Sequence, residues 1–145
     1  MKQLIVRIAE GMGNQMFMYA HAFSLAKKNN ATLIIDNTSG YFKKKNQFRK
    51  YELNKFELTS ELCQDYDCFN TFLLDQKRKF FKKIDFFRKE KLFYIEEINK
   101  QKNTFYTGLK SIKFKNKLYV EGYFQSEKYF VEHISDLRKE FTIKS

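Results

Sequence analysis

Proline and tryptophan are absent from these 145 residues, glycine occurs five times, and cysteine and histidine occur twice each. With no proline-rich or glycine-rich linker, no internal repeat and no low-complexity tract beyond a lysine bias, residues 1–145 read as a single domain. Cys63 and Cys68 lie five apart with no histidine beside them, a spacing that suits neither a metal site nor a disulfide framework, so two reduced thiols partly in the core are expected. No window approaches the roughly 20 apolar residues that span a bilayer. Met1-Lys2-Gln3 runs directly into a short apolar segment without the pattern of a signal peptide. The expected location is cytoplasmic, at most peripheral to the inner face of a membrane.

What is present is aromatic and basic. The chain carries 17 Phe and 9 Tyr, is 43% hydrophobic, and has a formal net charge of +11. A length of this order can enclose a real core, and an ordered domain is expected. Lysine, asparagine, phenylalanine, tyrosine and isoleucine dominate, the residues that adenine- and thymine-rich codons specify, so part of the charge reflects composition bias. The basic residues spread from Lys27 to Lys144, with dense runs at Lys43-Lys44-Lys45 and Lys77-Arg78-Lys79. A solvated face accounts for them better than a nucleic-acid patch, and no nucleic-acid partner is expected. A small basic α/β module for nucleic acid or an anionic membrane is the competing reading of the chain. Segment 76–93 gives its membrane form some substance, because there Lys and Arg alternate with Phe80, Phe81, Ile84, Phe86, Phe87, Leu92 and Phe93. That composition suits an anionic bilayer surface.

The order of elements predicts an α/β domain. Leu4, Ile5, Val6 and Ile8 form a β-branched apolar run that reads as a buried strand over residues 3–9. Gly11 and Gly13 then supply a hinge, and Asn14 stands where the N-cap of a helix over 14–29 is expected. A helix N-terminus with free amides and partial positive charge suits a phosphate, a sugar hydroxyl or a carboxylate. The dinucleotide fingerprint needs a small residue where Met16 stands, and the Gly-Lys-Ser/Thr ending of a phosphate loop is absent. Thr32 to Asp36 predicts a second strand, 37–50 an exposed loop at the active-site edge, 59–91 a mainly helical region capped at Thr59-Ser60, and 118–121 another strand. Residues 92–106 are ambiguous between strand and helix. Ser126 is expected to cap a final helix that continues to Phe141.

Gly11-Met12-Gly13-Asn14-Gln15-Met16-Phe17-Met18-Tyr19-Ala20 resembles the N-terminal signature of the family 11 glycosyltransferases, the α-1,2-fucosyltransferases, which read Gly-Gly-Leu-Gly-Asn-Gln-Met-Phe-Gln-Tyr-Ala. A second block, Glu121 to Phe130 followed by Leu137-Arg138-Lys139-Glu140-Phe141, is similar to the family's mid-chain strand and helix around Gly-Tyr-Phe-Gln. Asp36 and Tyr51 to Phe56 match weaker landmarks in the same order. Two departures stand out: Glu10 replaces the first glycine and Met18 a glutamine. A carboxylate beside the turn repels pyrophosphate, which favours the acceptor or fucose side of the cleft as the partner of this loop.

The resemblance implies a Rossmann-like open parallel sheet forming the N-terminal, acceptor-side domain of a GT-B-type enzyme. The family's His-x-Arg-x-Gly-Asp motif for the guanine nucleotide does not occur, so the donor-binding domain is expected to be missing and the fragment alone inactive. The implied reaction is attack of a galactose 2-hydroxyl on the anomeric carbon of GDP-β-L-fucose, with inversion to an α-1,2 linkage and without metal or other cofactor. Asn14 becomes the catalytic candidate. Gly11, Gly13, Asn14, Gln15, Asp36, Tyr123 and Gln125 become candidate substrate contacts, Asn14 to fucose, the β-phosphate or the acceptor and Tyr123 and Gln125 to a galactose-containing acceptor, with GDP-fucose held mainly by the other half. His21 is expected to be structural, and Arg7, inside the strand, is no obvious nucleotide ligand.

Overall fold

The computed structural model describes residues 1–43, 48–88, 94–96 and 112–145. Among the described residues five strands form one sheet: β1 (Gln3–Arg7), β2 (Thr32–Asp36), β3 (Glu61–Leu62), β4 (Tyr94–Glu96) and β5 (Lys117–Glu121). Their spatial order is β3-β2-β1-β5-β4, and every pairing is parallel. Helices α1 (Met12–Asn29), α2 (Phe72–Phe86) and α3 (Ile134–Glu140) accompany it, with short 3₁₀ turns between. This is an α/β fold in which the chain runs outward from β1 through β2 to β3 and later returns to β1's other side as β5.

Period-2 alternation divides the sheet into two faces. Leu4, Val6, Leu33, Ile35, Leu118 and Val120 enter the larger core with α1. Ile5 and Tyr119 point to the opposite face, where Phe69 is buried with them and Leu74 and Phe81 of α2 pack against the cluster. Helix α1 is covered on most of its circumference, because the segment 124–141 closes over the side that the sheet leaves open. Phe124, Tyr129 and Leu137 all belong to the same core as α1.

Several boundaries differ from expectation for identifiable reasons. Asn14 is not the N-cap of α1: the helix begins at Met12 after Gly11, and no side chain caps it. The region 59–91 is not one helix but β3, a 3₁₀ turn at Asp65–Asp67 and then α2, whose first turn is capped by Thr71 Oγ1 accepting from the Leu74 amide at 3.2 Å. Thr59 is drawn off by a distant carboxylate. Glu140 accepts the Thr59 amide at 3.0 Å, the Thr59 hydroxyl at 2.7 Å and the buried Tyr19 hydroxyl at 2.6 Å. The final helix is also interrupted, since Ser126 caps only the 3₁₀ turn Glu127–Tyr129 and α3 starts at Ile134. Of the ambiguous residues 92–106, β4 occupies 94–96, and the others lie outside the described residues. Cys63 is half-buried and Cys68 buried, both as free thiols.

Candidate functional site

The exits of β1 and β5 lie side by side, because the two strands pair from Gln3 and Lys117 through Val6 and Val120. This is where the strand order reverses, the position at which open parallel sheets leave a crevice beyond their carboxyl ends. A cavity of about 130 Å³ occupies it, lined by Arg7, Ala9, Glu10, Glu121, Gly122 and Tyr123 among others. Beside it the Gln125 side-chain amide donates to Asn14 Oδ1, joining two stretches 111 residues apart in sequence. Larger open grooves of about 560 Å³ near Thr32 and Thr59 and about 490 Å³ between α1 and α3 do not reach these strand exits.

Both exits carry backbone in the left-handed region at a residue other than glycine. Glu10 has φ 64° after β1, and Phe124 has φ 49° two residues beyond Gly122 at φ 151°. The left-handed turn at Phe124 has a clear packing cause. It sends the ring inward, fully buried and stacked on His21 at 3.7 Å between centroids, with Tyr129 edge-on to both. His21 is thus a core residue. Tyr123 and Gln125, on either side of Phe124, stay half-buried at the surface of the cleft.

The hinge expected at Gly11 and Gly13 is instead at Glu10. Gly11 is extended, with φ −84° and ψ 174°, and Gly13 sits in the first turn of α1, lining the groove toward α3. Glu10 holds its conformation through both backbone and side chain. Its carbonyl accepts from the Tyr41 hydroxyl at 2.9 Å and the Gln15 amide at 2.9 Å, while its carboxylate pairs with Arg49 at 2.7 Å. Left-handed backbone costs a non-glycine residue about 1–2 kcal/mol, roughly what an exposed ion pair and the lower unfolded-state entropy relative to glycine offset. Glu10→Gly is therefore expected to leave stability within about 1 kcal/mol of wild type, whereas Glu10→Val loses about 2 kcal/mol. Urea melts of the two variants check this. A large loss in Glu10→Gly would mean that the carboxylate itself holds the loop.

Gln15 and Asp36 are completely buried and committed to protein groups. Gln15 donates to the carbonyls of Glu10 and Lys50 and accepts the Glu52 amide at 2.9 Å, so it ties the 50–52 segment to the β1–α1 loop. Asp36 accepts the amides of Thr38 and Ser39 at 3.1 and 3.0 Å, both of their hydroxyls, and the Tyr119 hydroxyl at 2.6 Å. Burial and the Asp36 charge hold the Tyr119 phenol well above its usual range. Neither residue presents a free polar atom to the cleft in this arrangement. Of the other candidates Tyr123 lines the cavity, and Asn14 and Gln125 are joined by their side chains.

The sequence reading set Arg7 aside as a nucleotide ligand, took Glu10 only as a departure from the glycine pair, and assigned no role to Tyr41 or Arg49. Arg7 ends β1 on the α2 face of the sheet, in register with Asp36, and lines the cavity. Its buried Nε has no hydrogen-bond partner among the described residues. Its neighbour across the cavity, Glu121, is clamped from the other side by Arg78 and by Lys82 at 2.5 Å. Burial acts to raise the Glu121 carboxyl, but Arg78, Arg7 and Lys82 outweigh it and hold the group below the usual carboxylate range. Tyr123 is pushed up by burial and then by the Glu10 carboxylate. The cleft thus combines a cation with an unsatisfied donor, an uncapped helix N-terminus, a tyrosine and two side-chain amides. Such a set can hold a polyhydroxylated ligand that bears or develops negative charge. A charged residue closing an otherwise apolar strand was the available signal for Arg7.

No protein-family model and no solved structure matches the chain. Among curated proteins it is 30% identical over 152 aligned positions to an alpha-1,2-colitosyltransferase of Escherichia coli, an alignment that covers 98% of this chain and 46% of the other. The chain therefore spans about half the length of the curated relative it matches. It is a relative of a glycosyltransferase, and so of a transferase.

Proposed function

We propose that this chain is the acceptor-side half of an α-1,2-glycosyltransferase that moves a deoxy sugar of the fucose type from a GDP-sugar to the 2-hydroxyl of a galactoside. The observation that carries this reading is the contact between Asn14 and Gln125, which brings the two fucosyltransferase-like stretches to one cleft at the strand-order reversal. In this reading the Tyr123 ring lies against the galactose, and the Asn14 and Gln125 amides orient its hydroxyls. Arg7 and the first-turn amides of α1 stabilise negative charge as the sugar leaves its phosphate. Gln15 and Asp36 shape the loops and do not touch substrate. The guanine nucleotide is held mainly by a second domain, in the manner of a GT-B enzyme, and no metal or nucleic acid is required.

The resemblance names fucose, and the relative's name specifies colitose. These sugars differ by the 3-hydroxyl, and a site that hydrogen-bonds a hydroxyl rejects the analogue lacking it far more strongly than an apolar pocket rejects an added one. Saturation-transfer NMR with lactose, GDP-fucose and GDP-colitose tests the assignment. The chain is expected to give a weak lactose signal, lost in Tyr123→Ser, and little response to either donor. Donor binding as tight as a complete enzyme's would contradict the division of labour, and no lactose signal would count against the acceptor role.

A further inference from the structure

Helix α2 carries charge on its inner side. Beside Leu74 and Phe81, which pack on the core, it buries Asp75 at 2% exposed, Arg78 at 8% and Asp85 at 4%. Arg78 bridges Asp75 and Glu121, and Lys43 reaches Asp75 from the loop after β2. The side it turns outward carries an apolar stripe. Leu73 is 84% exposed and Phe80 60%, and Ile84 follows one turn later. Spacings of seven and four residues put these three side chains in one stripe along the helix.

Exposed lysines border the stripe, Lys77 on one flank and Lys79 and Lys83 on the other. The only acidic residues between Thr71 and Arg88 are Asp75 and Asp85, and both are buried on the inner side. An apolar stripe flanked by lysines, with no carboxylate facing out, has the charge pattern of a helix lying in a bilayer interface. Protein interfaces are depleted in lysine, so the flanks argue against a protein occupant. At fifteen residues α2 is about 22 Å long, too short to span a membrane, and no helix among the described residues is long and apolar enough to cross one.

We propose that α2 docks on an anionic phospholipid surface, with Leu73, Phe80 and Ile84 entering the acyl boundary and Lys77, Lys79 and Lys83 meeting the headgroups. The inner ion pairs make this a rigid attachment. Because Arg78 and Lys82 grip Glu121 at the end of β5, the docked helix holds the cleft about one helix diameter, some 10 Å, from the headgroup plane. An acceptor displayed at a membrane surface is then within reach. The docking itself does not depend on the enzymatic assignment.

The test is co-sedimentation of the chain with vesicles of phosphatidylcholine alone and of phosphatidylcholine mixed with phosphatidylglycerol. Binding is expected only to the mixed vesicles, and it weakens as salt is added. Leu73→Ser with Phe80→Ser lowers it about tenfold or more without lowering the melting temperature, since both side chains are mostly exposed. Neutralising Lys77, Lys79 and Lys83 to glutamine weakens it by about fivefold for each charge. No binding to anionic vesicles at low salt would overturn the proposal, as would wild-type binding by the Leu73/Phe80 variant. Lipid-independent self-association that the same variant abolishes would assign the stripe to a protein contact instead.

Discussion

Arg78→Met is expected to destabilise the domain by about 3 kcal/mol, the lower end of the cost of breaking a buried ion pair from one side. The guanidinium is almost fully buried and bridges two buried carboxylates, Asp75 on its own helix and Glu121 at the end of β5. Removing it leaves both with partial compensation, from Lys43 and Lys79 for Asp75 and from Lys82 for Glu121. The residual partners are why the lower end applies. Burial acts to raise both carboxyls, and the surrounding cations override it, leaving each below its usual range. Groups with a depressed folded-state pKa stabilise the protein above their unfolded value near 4 and lose that contribution as pH falls through the folded value. Arg78→Met takes away part of the depression of both carboxyls, so its acid unfolding midpoint should move to higher pH, which circular dichroism across an acid titration reads directly. Unchanged acid unfolding would mean that the bridge is not formed in solution. The double variant Arg78→Met with Glu121→Met should lose less than the sum of the single changes, because it removes the stranded charge together with its partner.

Gly40→Ala is expected to cost about 3 kcal/mol, at the upper end of overpacking penalties. A methyl group there would fall far inside contact distance of the Ile8 carbonyl oxygen, and 2.8 Å and 3.1 Å from Cβ and Cα of Ala9. Two of the three neighbours are backbone atoms of the β1–α1 loop, which no rotamer change can move aside. The turn after Asp36 would have to lift from that loop, straining the Tyr41 bond to the Glu10 carbonyl and the Asp36 contacts with Thr38 and Ser39. Chemical denaturation gives the loss. A variant as stable as wild type would show that this loop packs more loosely than described here.

What was legible in the sequence was whatever short-range pattern determines. β2 falls on its expected residues, and β1 and β5 within two residues of theirs. The parallel sheet followed from those runs with a long helix between them. Long-range partners decided the rest. Thr59-Ser60 has the composition of a helix cap, yet Glu140, 81 residues away, takes its donors. Glycine was the natural choice for a left-handed hinge, and the hinge is Glu10 because tertiary bonds from Gln15 and Tyr41 fix its carbonyl. Asn14 and Gln125 were separately readable as polar residues at element ends, but their meeting depends on β5 pairing with β1, which no local pattern encodes. Arg7 was set aside for the same reason: its position in the cleft exists only once β5 lies beside β1.

The central claim is that the β1–α1 corner and the β5 exit form one carbohydrate-binding cleft. Amide chemical-shift mapping of the chain titrated with lactose tests it most directly. Shifts are predicted to cluster at residues 10–14 and 122–125 and to be lost in Tyr123→Ser. Shifts confined to the groove between α1 and α3, or no shifts as the sugar concentration is raised, would contradict it.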